Sequence, residues 1–372
     1  METQVEQNKK GKITSGQASA MLYIGLLSPI IRLLPKTAVD MGGYASWLSV
    51  IAAFPVLFLL IWFWRKMMGG RKPGDSMADV IIKAIGRTGG KIAVSLFGLW
   101  LIFYIGFMLK SGAERLISSA YETATPSLFI LTILAVATIV ATKKLKVLGR
   151  LSEILFIILS VVFIFIMIPA FAEIEPGNLL PITVYSTGDI LKGAVPIINI
   201  GTVGVYLYFF KDVADADNNN RIIVKRLVTV LGVILILMVT TIGVLSEPLI
   251  RKLQHPFFIM VRDLSVFGVV ERVESVVIAL WVVSDIVYVS MLLKICGEIF
   301  SKVTEKKKDR QYSISAAILS LIPAYMAANS AFELNFFSEK IIPGINMLII
   351  FIMLPLIFVI GKIREKKGEK RY

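Results

Sequence analysis

Asp285 is a lone carboxylate near the middle of a long apolar stretch, directly preceded by Ser284. An ionised carboxylate at membrane depth costs at least about 2.5 kcal/mol unless it is paired or wet. Asp285 is therefore a candidate cation or proton site, and equally a candidate partner for a base on a neighbouring helix. Successive helical side chains diverge by roughly 100°, so Ser284 and Asp285 cannot face one centre equally. A second charged group, Lys110 and Glu114 at i, i+4 followed by Arg115, reads as a local ion pair that offsets part of its own desolvation. Tyr104, deeper on that segment, is placed to cover a ligand with its ring and hydroxyl or to pack as core.

Two clusters of helix-weakening residues suggest where a ligand would sit. Gly25, Ser28 and Pro29 interrupt one apolar segment, and Pro196, Asn199, Gly201 and Gly204 interrupt another, with Ile200 a candidate ligand contact inside that break. Proline removes a backbone donor and glycine weakens the helix. Backbone groups freed in this way are tolerated in hydrocarbon only where they face protein, water or a ligand. Amides freed around Ser28 and Pro29 suit a carboxylate, and carbonyls near Gly25 and Asn199–Gly201 suit an ammonium group. Together they describe an α-amino acid. The alternative is ordinary packing glycines and proline kinks, and the matched placement of the two clusters weighs against it.

Other chemistries find little footing. Cys296 and His255 are the only cysteine and histidine, so no Cys/His metal cluster forms within one chain, and no metal or cofactor is expected. Enzymatic motifs are not evident: there is no phosphate-binding glycine loop, serine triad or pair of catalytic carboxylates. The Asp- and Asn-rich loop Asp212–Asn220 lacks the spaced ligands of a calcium loop. Glu271, Arg272 and Glu274 complement a helix start.

The elements that must position these residues are membrane helices. The chain has 372 residues, 56% of them hydrophobic, with mean hydropathy +0.78, more than a soluble domain carries without large apolar patches. A span needs roughly 20 apolar residues. Ten segments qualify: Ile13–Leu34, Trp47–Trp64, Ile92–Ser119, Ser127–Ala141, Leu151–Phe171, Ile190–Phe210, Leu227–Leu245, Val266–Ile295, Ser313–Ala328 and Ile341–Gly361. The polar start Met1–Lys12 does not read as a cleaved signal. The formal charge of +14 sits in alternate short loops, including Lys143, Lys144, Lys146 and Arg150 and Lys302, Lys306, Lys307, Lys308 and Arg310. This placement predicts cytoplasmic termini and argues against nucleic-acid binding. Segments one and six hold corresponding places in two sets of five. The pattern predicts one polytopic domain with a first repeat at about 13–172 and an inverted second repeat at about 190–361.

An ordered series of short motifs resembles a known family. It includes Gly16-Gln17, Leu34-Pro35-Lys36-Thr37-Ala38 at the exit of segment one, Ala45-Ser46-Trp47-Leu48-Ser49, Gly149-Arg150-Leu151-Ser152-Glu153, and His255-Pro256 followed by Arg262 and Trp281. The chain resembles the spore germination amino-acid permeases of the APC superfamily, the B-subunits of nutrient germinant receptors. The resemblance implies a LeuT-like fold with interrupted helices one and six. It also implies an amino-acid-type germinant held by Gly25, Tyr104, Asn199–Gly201 and Ser284, and residence in the inner membrane of the spore. A larger A-subunit and a C-subunit lipoprotein are the implied partners. An amino-acid or cation-coupled permease acting alone is the alternative. The run Lys143-Lys144-Leu145-Lys146 departs from the family pattern, as does the lack of a central lysine in segment five, which counts against proton-driven transport.

Overall fold

The computed structural model describes residues 13–69, 71–72, 74–119, 121, 123–180, 186–211, 213, 220–264, 273–328 and 330–366. The tail 1–12, residues 212 and 214–219 of the Asp/Asn-rich loop, and Glu271 and Arg272, all named above, lie outside the described residues, and of Glu274 only the backbone is described.

Ten helical segments carry the fold: α1 Ser15–Gly42, α2 Ser49–Met68, α3 Arg87–Ser119, α4 Pro126–Ala141, α5 Leu145–Ala172, α6 Thr187–Gly201, α7 Asn220–Leu245, α8 Val273–Thr304, α9 Asp309–Met326, and α10, which alternates α and π turns between Ala331 and Lys366. Among the described residues, eight helices are long and apolar enough to cross a bilayer. The other two are α4, with 16 residues, and α9, with 18. Large apolar side chains face outward in helical stripes, as at Ile154, Ile157, Ile158, Val161, Ile164 and Ile168 on α5. Water would penalise such a surface and lipid does not.

The inner helices are α1, α3, α6 and α8. Helix α1 packs on α5, α6 and α8, while α3 packs on α8 and α9. Small residues permit these approaches. A Cβ on Gly106 of α3 would meet the Ser320 carbonyl of α9 at 2.4 Å, so no larger residue fits there.

Helix boundaries depart from the sequence expectation in one instructive place. Pro35, read as the exit of the first segment, lies inside α1, which runs on to Gly42. The missing N–H of Pro35 leaves only the Ile31 carbonyl without its helical donor, which a packed membrane helix tolerates.

The two ends of the bundle differ in charge. At one end Glu305 accepts from Arg87 and Lys91 at 2.8 Å each, and these bonds hold its carboxyl below the usual range. Lys302 meets Asp79 at 2.9 Å. A cavity of about 210 Å³ there is ringed by Lys66, Arg71, Lys72, Lys83 and Lys362, with Asp75 as its acid. Arg226 of α7 donates to the Ser15 carbonyl at 2.8 Å, tying down the start of α1 at the same end. The opposite end holds smaller ties, Lys36 to Asp40 at 3.3 Å and Arg251 to Glu247 at 2.9 Å.

Candidate functional site

One side chain from α8 bonds to the backbone of α1. The Ser28 N–H donates to Ser284 Oγ at 3.1 Å, and that hydroxyl donates to the Ile24 carbonyl, the group that the Ser28 N–H faces in helix geometry. One residue on, Pro29 brings no N–H to the Gly25 carbonyl. The first segment, expected to be interrupted here, nevertheless runs as one α-helix over Ser15–Gly42. In the sixth segment the α-helix ends at Gly201 and continues as a 3₁₀ helix over Thr202–Phe209.

Between these two places lies a cavity of about 40 Å³, lined by Pro29 and Arg32 of α1, Tyr104 of α3, Asn199 and Ile200 of α6, and Asn346 of α10, among others. One water needs about 10–15 Å³ of such space, so this is a closed conformation with room for a few waters. Tyr104 accepts from the Tyr288 hydroxyl at 3.3 Å. Asn346 Oδ1 accepts from Trp100 Nε1 at 3.2 Å and from Tyr206 at 3.1 Å, which ties α3 and the 3₁₀ continuation of α6 to α10 at the cavity wall. Asn199 Oδ1 is buried with no protein partner.

Beside the cavity lies a buried charge network. Arg115 of α3 donates to Asp285 of α8, with side chains 1% and 4% exposed. Its guanidinium also reaches Ser28 Oγ at 3.4 Å and lies over the Trp281 ring at 4.8 Å. Arg32 is 3% exposed and donates to Ser111 Oγ and the Met108 sulfur. Among the described residues no carboxylate lies within 4.0 Å of it, and its Nε has no partner. A buried ion suffers a desolvation penalty of several kcal/mol, whereas a hydrogen bond contributes about 1–3 kcal/mol. Arg32 is thus under-compensated.

Of the residues singled out from sequence, Pro29, Tyr104, Asn199 and Ile200 line the cavity. Ser28 and Ser284 bond to each other next to Pro29 and do not line the cavity. Three sit differently from expectation. The Ser28 amide, expected to meet a carboxylate, is already taken by Ser284. Gly25 faces Tyr288, whose Cδ2 would lie 3.0 Å from a Cβ there. Gly201 lines a separate apolar crevice with Leu57, Trp64 and Leu231. Asp285 pairs with a neighbouring base, one of its two expected roles. The Lys110–Glu114 pair forms at 3.0 Å. Sequence reasoning missed Arg32, Tyr288 and Asn346. A charge inside the segment Ile13–Leu34 was the available signal for Arg32, since intramembrane charges mark functional sites by default.

Comparison with known proteins agrees with this architecture. The profile of a family described as "Spore germination protein" matches residues 12–332. "Spore germination protein YndE" of Bacillus subtilis (strain 168) is 23% identical over 278 residues, covering 73% of this chain and 75% of that protein. Among solved structures, Mhp1, a nucleobase-cation-symport-1 family transporter in a closed conformation with bromovinylhydantoin bound, superposes with TM-score 0.58 at 12% identity, over 92% of this chain and 79% of the other. A Na⁺-coupled sialic acid symporter in a substrate-bound outward-open state gives TM-score 0.52 at 15% identity, over 92% and 80%. The fold is that of the LeuT-like transporters.

Proposed function

Because the chain belongs to the spore germination protein family, we propose that it is the nutrient-sensing membrane subunit of a germinant receptor, binding an amino-acid-type ligand between α1, α3, α6 and α10. It is a multi-pass membrane protein with a transporter-like fold, and not an enzyme. The reading rests on one observation above others: Pro29, which leaves the Gly25 carbonyl without its N–H, lines a cavity together with Asn199, whose Oδ1 has no partner among the described residues. A ligand that binds one arrangement of these helices better than another shifts their equilibrium by its differential affinity.

Residues 13–172 and 190–361 are the two inverted repeats in this reading, with α1 and α6 as counterparts. The base-rich end around Arg87 and Lys302 is cytoplasmic, with both termini, by the distribution of positive charge. A larger A-subunit and a C-subunit lipoprotein relay the change, in the inner membrane of the spore. The alternative is a cation-coupled permease acting alone: Arg115 takes one oxygen of Asp285 and leaves Oδ1 without a partner among the described residues, so uptake by the chain alone separates the two readings.

The test is thermal unfolding of the purified chain against the amino acids and nucleosides, then uptake by the chain alone in liposomes. A ligand at 100-fold its dissociation constant adds about 2.7 kcal/mol to the folded state. Stabilisation without uptake supports a sensor, saturable uptake supports the permease, and no stabilisation by any compound removes the ligand from the proposal.

A further inference from the structure

We propose that Arg32 is the docking group for the carboxylate of the ligand, the function that sequence reasoning gave to the Ser28 amide. This rests on the reading of the cavity as a ligand site, and it names the chemistry of one subsite.

Three observations carry it. First, among the described residues Arg32 is the only charged side chain lining the cavity beside Pro29, so any charged ligand group in that space is selected by a positive field. Second, it is 3% exposed and its bonds go to neutral acceptors, the Ser111 hydroxyl and the Met108 sulfur, while its Nε is unpartnered. The nearby Asp285 is engaged by Arg115. One carboxylate thus serves two guanidiniums, and the network is short of one negative charge. A guanidinium left this way retains donors in the planar fork that matches a carboxylate.

Third, Arg32 lines a second cavity of about 50 Å³ that also touches Lys36, Glu114 and His255 towards the end where α1 finishes. Arg32, Leu33 and Ser338 are common to both cavities, so Arg32 stands in the wall between them. An anion arriving from that end passes Lys36 and is neutralised at Arg32, where it comes to rest. The unpartnered Asn199 oxygen is left for the ammonium group of the same molecule.

The experiment uses the full chain in nanodiscs, with unfolding temperature and calorimetric binding measured for the twenty L-α-amino acids, each beside its carboxamide. Wild type is compared with Arg32→Met, which removes the charge, and Arg32→Lys, which keeps charge but loses the fork. The expected result is that an acid binds wild type about tenfold or more tightly than its amide, that Arg32→Met reduces this preference to within about twofold, and that Arg32→Lys lies between. Without any ligand Arg32→Met should unfold at or above the wild-type temperature, since it removes a buried charge short of a counter-ion. An acid preference retained in Arg32→Met, or acid and amide binding wild type alike, overturns the role of Arg32 while leaving the ligand site standing. A marked fall in ligand-free unfolding temperature for Arg32→Met also overturns it, because the charge is then structurally compensated. If neither acids nor amides bind wild type, the ligand-site reading fails and this inference with it. If chloride titrated from sulfate buffer stabilises wild type but not Arg32→Met, and no amino acid does, the site is a halide site and the carboxylate assignment falls.

Discussion

The Ser284 hydroxyl bridges two backbone groups of α1, accepting the Ser28 N–H at 3.1 Å and donating to the Ile24 carbonyl. A single side chain of α8 thereby ties onto the backbone of α1, and the two helices cannot slide past each other without breaking both bonds. In a hydrocarbon surround that loss is costly, so the contact acts as a latch between the halves of the proposed repeat.

Replacing Ser284 by Ala should release this latch. Two buried backbone groups lose their partner, at about 1–3 kcal/mol. Thermal unfolding of the purified chain measures the cost, and Ser284→Thr, which keeps the hydroxyl, should recover part of it. An Ala variant as stable as wild type would mean that α1 closes its own ladder.

At Gly25 the obstacle to a side chain is Tyr288. A Cβ would stand 3.0 Å from its ring, and Tyr288 bonds Tyr104 at the cavity wall. Gly25→Ala should be tolerated with a loss of about 1–3 kcal/mol, the usual cost of overpacking, and should weaken ligand binding through displaced Tyr104. Gly25→Leu should abolish the response. Normal binding by the Leu variant would separate this part of α1 from the site.

The pair Arg115 and Asp285 should behave as a unit. Asp285→Asn alone leaves a buried guanidinium unpaired and should destabilise by about 3–5 kcal/mol. Arg115→Met with Asp285→Leu should be much closer to wild type than the sum of the single changes. The cycle of unfolding free energies tests this: additivity would mean that the two charges do not depend on each other.

His255 gives the chain an acid sensitivity. Burial, with Arg115 and Arg32 nearby, lowers its pKa to about 3, whereas an unfolded imidazole titrates near 6.5. Between those values the unfolded chain binds the proton and the folded one does not, so stability falls as pH falls, at up to about 1.4 kcal/mol per unit. His255→Phe should flatten the difference in stability between pH 6.5 and pH 4. Parallel curves for the two proteins would show a histidine free to protonate where it stands.

The sequence disclosed the spans well and the site only in part, for reasons that particular residues make plain. Hydropathy is a property of single segments, so α2, α5 and α7 could be read from composition. Pro35 misled because proline is an ordinary helix end in water but not inside a packed membrane helix, where α1 continues to Gly42. The clusters at Ser28–Pro29 and Asn199–Gly201 were visible, yet which groups stay available depends on the neighbour. Ser284 takes the amide of Ser28, and Asp285 is taken by Arg115. Such pairings belong to the register between helices, which no single segment encodes.

Helix α4 has its own consequence for the surroundings. At 16 residues and about 1.5 Å per residue it is roughly 24 Å long, against about 30 Å of hydrocarbon. Leu128, Leu131, Val136 and Ile139 face outward along it, and Lys294 of α8 donates to the Ala141 and Lys143 carbonyls at its end, at 3.2 and 2.6 Å. The bilayer on that flank has to thin to match, at a fraction of a kcal/mol per Å. Any motion that tilts α4 or withdraws Lys294 changes that thinning, so membrane thickness becomes a mechanical input to α8, the helix whose Ser284 bonds to α1.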